Sequence, residues 1–417
     1  MPEALDRTGY EPAFEEDFSG PDIDPGRWVP HYLPHWTTPE RSAARYELTP
    51  DGLRLRIDAD QPAWRVEDGG MRVSNLQTGT FSGAVGSAVG QHRHRADLAV
   101  ETAQPTRRLY TPSGGLVEAV LRASPDPTCM LAFWMVGFEE SPEQSGEICV
   151  AELFGHAIGP RRSGVRIGIK AHHDPRLHED MDELTLDLDA SNWHSYAAEW
   201  TAERIRFFVD DRLGRTVHQR IDYPLQLMVD LFEFPEGSRR DPASYPKIGE
   251  VGSVRGFRHA VRLDVLPPSD PRAERALHAY MAEMSSRWQG RPASDDDVRA
   301  ALREFPSDEL EPPHGVLVVA HRGDVVEGCA GLCFTGAESG EVKRVYVATS
   351  VRRHGLGRLL MAEIERIARE RGMRELRLDT RADLVEARRL YEQIGYYEIP
   401  PFGDNPYAGH WFAKRLA

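Results

Sequence analysis

Five residues, Pro267-Pro268-Ser269-Asp270-Pro271, divide this chain into two stretches that obey different periods. Three prolines in so short a space remove backbone donors and fix φ, so no sheet ladder continues through them and the segment reads as a stiff spacer. From Phe14 to about Leu266, apolar and polar residues alternate in short runs: Leu53–Asp58, Gly115–Ala123, Gly164–His173, Glu183–Asp189 and Arg204–Arg212, separated by Gly, Pro, Asn or Asp. Many such runs over roughly 250 residues predict antiparallel strands in an all-β sandwich or jelly roll. After the prolines the period changes. Ala276, Tyr280 and Met284 share one helical face, and a second helix is expected over Asp295–Phe305, opened by Ser294 and Asp297 as a capping box. Strands Gly315–His321, Val325–Phe334 and Arg374–Thr380, a helix over Leu384–Ile394 and a last strand His410–Arg415 complete an α/β domain. The expected domains are thus a sandwich over 1–266, a linker over 267–271 and an α/β domain over 272–417.

Composition limits the function classes. A chain of 417 residues exceeds one ordinary core. Its formal net charge of -15 argues against a general nucleic-acid binder, whose footprint would be basic. The N-terminal stretch is acidic and lacks an apolar h-region, and no run is long enough to span a membrane, so neither export nor membrane insertion is expected. Cys329 and Cys333 lie four residues apart on one strand, about 13 Å between Cα atoms, too far for a disulfide. With Cys129 and Cys149 they read as reduced thiols of a cytoplasmic protein. Oligomeric state leaves no signature.

The sharpest chemical signal runs from Gly340 to Gly372. Val342, Val345 and Val347 form a β-branched run, and Leu360, Ile364 and Ile367 fall at helical spacing. Between them stands Arg352-Arg353-His354-Gly355-Leu356-Gly357. Glycines admit close backbone approach, and the first amides of the helix point unpaired at whatever lies before it, a cradle for pyrophosphate. The turn lacks the Gly-Lys-Ser/Thr of a P-loop and the GxGxxG of a dinucleotide fold. Arg-x-x-Gly-x-Gly between strand and helix, with Leu390-Tyr391-Glu392-Gln393-Ile394-Gly395-Tyr396 downstream, resembles the GNAT acetyltransferases. The resemblance implies acetyl-CoA as cosubstrate and a small amine or amino-sugar-like acceptor. It implies a pyrophosphate turn at Arg352–Gly357, backbone contacts to the pantetheine arm from Val345 and Val347, Tyr391 as the acid that protonates the departing sulfur, and Glu341 as a base. The chain departs from the family in carrying Leu384 where relatives often have Asn, seven residues before the Tyr.

The sandwich carries a second constellation, Glu147-Ile148-Cys149-Val150-Ala151-Glu152. In a regular strand Glu147 and Cys149 share a face while Glu152 points away; a β-bulge returns Glu152 to the same face. Two carboxylates about 5 Å apart suit a retaining glycosidase. This resembles family 16 glycoside hydrolases, whose signature is Glu-x-Asp-x-x-Glu. Asp17-Phe18-Ser19-Gly20 with Trp28, Ala132-Phe133-Trp134-Met135 and Trp193-His194-Ser195-Tyr196-Ala197-Ala198-Glu199-Trp200-Thr201 extend the likeness over residues 14–266. It implies Glu147 as nucleophile and Glu152 as acid/base, with Trp134, His172 and His173 toward substrate. Cys149 replaces the middle Asp, which removes one of three crowded negative charges. As a nucleophile itself, Cys149 would need a base, which the sequence does not place beside it. His172, His173 and His178 with Asp174 and Glu179 fit no standard zinc spacing, and no metal is expected.

Three classes of function remain open. The C-terminal domain acetylates an amine while the sandwich binds or positions the acceptor; or both domains are enzymes, a glycosidase and an acetyltransferase; or the chain acetylates proteins and the sandwich targets it.

Overall fold

The computed structural model describes residues 3–201, 203–234, 241–403 and 405–416. The backbone divides into two compact units, Met1–His259 and Ala260–Ala417.

The first unit is a sandwich of two antiparallel sheets, one 8-stranded and one 6-stranded. Alternate residues from both sheets, among them Leu55, Val117, Ala119, Tyr196 and Val251 from the first and Leu131, Phe133, Ile148, Leu153, Ile167 and Leu231 from the second, form one buried cluster between them. The opposite face of the 6-stranded sheet is also covered. Trp134, Met130, Met228 and Phe232 project from it and pack under Tyr32, Leu33, Trp36, Trp64, Leu98 and Val100. Both faces being buried, the central strands Cys129–Gly137 and Leu225–Glu233 are buried along their whole length.

The second unit is a 7-stranded sheet with helices Pro271–Gln289, Asp295–Glu304, Leu356–Glu370 and Val385–Gln393. Asp270 caps the first helix by accepting from the Arg272 N–H, and Ser294 with Asp297 forms the expected capping box on the second. One buried cluster joins the Leu356–Glu370 helix, through Leu360, Met361 and Ile364, to Val318, Ala330, Leu376 and Phe412 of the sheet. A second joins Ala273, Ala276 and Leu277 to Leu317, Val319 and Cys329.

The boundary departs from the sequence reading. Arg262–Leu266 pairs antiparallel with Leu317–His321 and is an edge strand of the second unit's sheet. Its alternation looks like one more sandwich strand, and periodicity says nothing about which sheet a strand joins. The proline stretch therefore connects that strand to the first helix, and Pro271 is the helix's first residue, where a missing N–H costs nothing. All four cysteines are buried free thiols. Among the described residues no helix is long and apolar enough to cross a membrane.

Candidate active sites

In the second unit, Ser339–Val347 pairs in parallel with Glu375–Arg377 only at its first residues, Ser339 to Glu341. Beyond that point the strands splay. The register against Val325–Phe334 also shifts between Cys329 and Gly331, so the Ser339–Val347 strand carries a bulge, with Arg344 at φ +55°. The Ala348 N–H donates to the Glu327 carbonyl on the adjacent strand. Because successive N–H groups along a strand point to opposite edges, those of Val345 and Val347 face the open side. That opening is a cleft of 1470 Å³, lined among others by Tyr280, Trp288, Arg344, Val347, Asp379 and Tyr391.

At the mouth of the cleft the six turn residues divide the work. Arg352 is a brace: its Nε donates to the Val347 carbonyl at 2.9 Å and its guanidinium pairs with Glu283. Arg353 and His354 are solvent-facing, Arg353 at φ +67°. Gly355 is the helix N-cap at φ +86°, and nothing lies within 4 Å of where its Cβ would be. Leu356 turns its side chain into the core. Gly357 has a packing reason: a Cβ there would meet Leu390 at 3.0 Å and Val347 at 3.7 Å. The first backbone bond of this helix runs from the Leu359 N–H to the Gly355 carbonyl, which leaves the amides of Leu356, Gly357 and Arg358 ahead of the ladder, at the positive end of the helix dipole. Open space at Gly355 and these donors fit a phosphate group.

Tyr391 is buried in the cleft wall, packed on Tyr396 and Phe412. Burial, with Tyr280 and the Asp379 carboxylate adding to it, raises its pKa, so it holds its proton at neutral pH. Glu341 is not among the residues that line the cleft; it lies half-buried, 3.6 Å from Lys343 Nζ. Asp379, which the sequence reading overlooked, does line it. Burial raises the Asp379 pKa, and Asn405 donates to its Oδ1 at 2.7 Å. Trp288, Tyr407 and Phe305 meet edge to face beside it.

In the sandwich, the Glu147–Phe154 strand shows the expected bulge. Trp134 pairs with Cys149 while the neighbouring Phe133 pairs with Ala151, and the opposite neighbour shifts likewise between Arg166 and Gly168. Val150 and Ala151 both enter the core, which turns Glu147, Cys149 and Glu152 to one face with donor atoms within 4.8 Å of one another. Lys170, which the sequence reading did not weigh, reaches between the carboxylates: Nζ is 2.9 Å from Glu147 Oε1 and 2.7 Å from Glu152 Oε1. Cys149 donates to Glu147 Oε1 at 2.9 Å; burial first, then the Glu147 charge, pushes the thiol far above its ordinary range and keeps it neutral. Burial works against the Glu147 charge as well, yet the hydrogen bond from His172 and the Lys170 ammonium outweigh it and hold this carboxyl below its usual range. Trp134 Nε1 donates to the buried Asp230, and its ring meets His92 at 5.6 Å. His173 faces away from the carboxylates; its Nε2 bonds the Arg93 carbonyl at 3.1 Å. His92, Lys170 and Asp379 lie far along the chain from the motifs they join, and no local pattern marks them.

Both units have recognisable relatives. Residues 275–396 match the acetyltransferase (GNAT) family, and residues 110–233 match the glycosyl hydrolases family 16. An uncharacterized N-acetyltransferase of Schizosaccharomyces pombe is 33% identical over 27% of this chain and 67% of its own length. An aminoglycoside N(6')-acetyltransferase type 1 of Serratia marcescens is 29% identical over 29% of this chain and 86% of its own. Among solved structures, a GlcNAcα1-4Gal-releasing endo-β-galactosidase from Clostridium perfringens superposes with TM-score 0.52 at 22% identity, over 61% of this chain and 63% of that enzyme, a likeness of fold. The fold is thus a glucanase-like jelly roll followed by an acetyltransferase α/β domain. Through its C-terminal unit the chain belongs to the GNAT N-acetyltransferases.

Proposed function

We propose that this protein is a cytoplasmic, acetyl-CoA-dependent N-acetyltransferase for an amine-bearing small molecule, of the amino-sugar type, and that the sandwich domain binds or positions that molecule without hydrolysing it. The observation that carries the first half is the splayed strand pair with an open, positive-φ glycine and free helix amides at one end and a protonated tyrosine within.

When bound, acetyl-CoA supplies an activated thioester whose leaving group is a thiolate. The amides at Leu356–Arg358 and the exposed Arg353 hold the pyrophosphate. The Val345 and Val347 N–H groups orient the pantetheine arm and stabilise negative charge that develops on the carbonyl oxygen. Asp379, with its pKa raised, accepts the proton of the attacking amine and replaces Glu341 in that role. Tyr391 gives its proton to the departing sulfur. The Serratia relative is named for aminoglycosides, which carry amines on sugar rings, and this favours an amino-sugar acceptor.

The sandwich reading rests on Lys170. A retaining glycosidase needs the space between its two carboxyls for the scissile bond. The Lys170 ammonium occupies that space instead, 2.9 Å from Glu147 and 2.7 Å from Glu152. The bifunctional alternative, a glycosidase joined to an acetyltransferase, is supported by the bulge that brings Glu152 back beside Glu147. Release of new reducing ends from β-glucans or β-galactosides by the full chain, abolished in Glu147→Gln, would establish it.

The acetyltransferase reading is tested by thiol release from acetyl-CoA across simple amines, amino acids, amino sugars and aminoglycosides. Turnover with amino sugars is expected, falling about 100-fold in Tyr391→Phe and in Asp379→Asn, the scale of a lost general acid or base. Thiol release with no acceptor of the panel would refute it. Acetylated lysines on a partner protein would instead support the targeting alternative.

A further inference from the structure

Beside the bulged strand of the sandwich, two histidines join one of the paired carboxylates in a group that acetyl transfer does not require. His92, His172 and Glu147 each offer one donor atom within 4.8 Å of the other two. They come from three separate places: a loop, the segment after the Ser163–Lys170 strand, and the bulged strand. Glu147 is buried, and its two oxygens serve different partners. Oε1 takes Lys170 and Cys149, while Oε2 lies 2.7 Å from His172 Nε2. The His92 ring stands edge-on to the His172 ring at 4.8 Å. Among the described residues no hydrogen bond engages a ring nitrogen of His92. Its backbone N–H donates to Glu139 at 2.6 Å, which fixes the loop that presents it. Both histidines adopt left-handed backbone, φ +52° at His92 and +47° at His172. Such conformations are uncommon outside glycine and cost on the order of 1 kcal/mol or more each.

We propose that His92, His172 and Glu147 form a binding site for one divalent transition-metal ion, of which zinc is the best match, with a further coordination position on the side where His172 is exposed. Two imidazoles and one carboxylate are a borderline-soft donor set that suits zinc and disfavours calcium and magnesium, which take oxygen ligands. Three protein ligands with a fourth position left open are the arrangement of sites that act on a bound molecule rather than staple a fold. Bond lengths of about 2.0–2.2 Å require donors somewhat over 3 Å apart, so His172 Nε2 and Glu147 Oε2 must separate by a few tenths of an ångström. The neighbouring triad Glu147, Cys149 and Glu152 is not the site, because the Lys170 ammonium already serves as its cation. Glu147 then bridges two cations, lysine on Oε1 and metal on Oε2.

The test uses the untagged full chain, stripped of metal and titrated with Co(II), whose visible d–d absorption reports low-coordinate nitrogen and oxygen ligation. One Co(II) per chain with an intense band, displaced by one equivalent of Zn(II), is expected. His92→Phe, which keeps the ring's packing, and His172→Asn should each weaken binding by more than the 10- to 100-fold typical of outer-shell changes. His178→Ala, outside the group, should leave it unchanged. Unaltered melting curves in these variants separate lost ligation from lost folding, and if His92→Phe does not fold the comparison rests on His172→Asn. No band at one equivalent, or a band of equal strength and affinity in the ligand variants, overturns the proposal.

Discussion

His35 shows how one buried side chain writes itself into the pH dependence of a whole unit. It is fully buried in the sandwich, with Nε2 2.9 Å from the Gln91 carbonyl, and burial lowers its pKa from 6.5 to about 4. The unfolded chain therefore binds a proton that the folded chain refuses between those values. The stability this represents is present above pH 6.5 and is lost as pH falls toward 4, about 3 kcal/mol at the limit. In thermal melts of the full chain, the sandwich transition should drop over that interval. His35→Gln should show a visibly shallower drop, whatever its absolute stability. Equal slopes in the two proteins would remove His35 from the explanation. Asp379 obeys the opposite demand at the acyl-transfer cleft. As the proposed base it must be ionised to accept a proton, and burial raises its pKa, so kcat/KM should fall on acidification, with a higher midpoint than an ordinary aspartate gives.

At the scale of elements, the strand–turn–helix from Ser339 to Glu370 carries the most testable geometry. Gly355 has φ +86° with free space beyond it. Gly355→Ala puts a methyl group into the position a phosphate would approach and adds left-handed strain, roughly 1 kcal/mol. The expected outcome is a KM for acetyl-CoA raised about tenfold with kcat little changed; an unaltered KM would place the pyrophosphate elsewhere. Much of this element was legible in the sequence. Turn glycines, β-branched runs and the Ser294–Asp297 box are local signals, and the helix and strand spans they predict agree with the structure to within a residue or two at most ends. The bulge in Glu147–Phe154 was legible too, because Glu152 cannot share a face with Glu147 without it. Other features were not. The bulge at Arg344 follows from register against the adjacent strand, which single-chain periodicity does not encode. Lys170 stands 23 residues from Glu147 and 18 from Glu152, and joins them only because two strands pair. His92 reaches the same place through a loop whose path no pattern predicts. Glu341 is a base by resemblance alone; it lies where Ser339–Glu341 still pairs with Glu375–Arg377, and the residues of that strand that line the cleft begin at Val342.

At the scale of the molecule, two side-chain groups of different chemistry share one chain of net charge -15. If the sandwich positions the acceptor, damage to its carboxylate site should alter acceptor affinity and spare the acyl-transfer step. Glu147→Gln, nearly isosteric, should raise KM for the amino-sugar acceptor about tenfold, leave kcat intact, and have no effect on a simple alkylamine, since interactions equal in ground and transition states move KM alone. An unchanged KM for every acceptor would make the two units chemically independent.

The strand Arg262–Leu266 has a practical consequence for anyone who wishes to study the halves apart. A gene cut at the prolines yields an acetyltransferase fragment whose Gly315–Arg322 strand has lost its neighbour and shows a bare row of amides and carbonyls, an invitation to self-association. A cut at Ala260 takes the protecting strand along. Solubility of the two fragments, expressed side by side, would show that the prolines most visible in the sequence are the wrong place for the scissors.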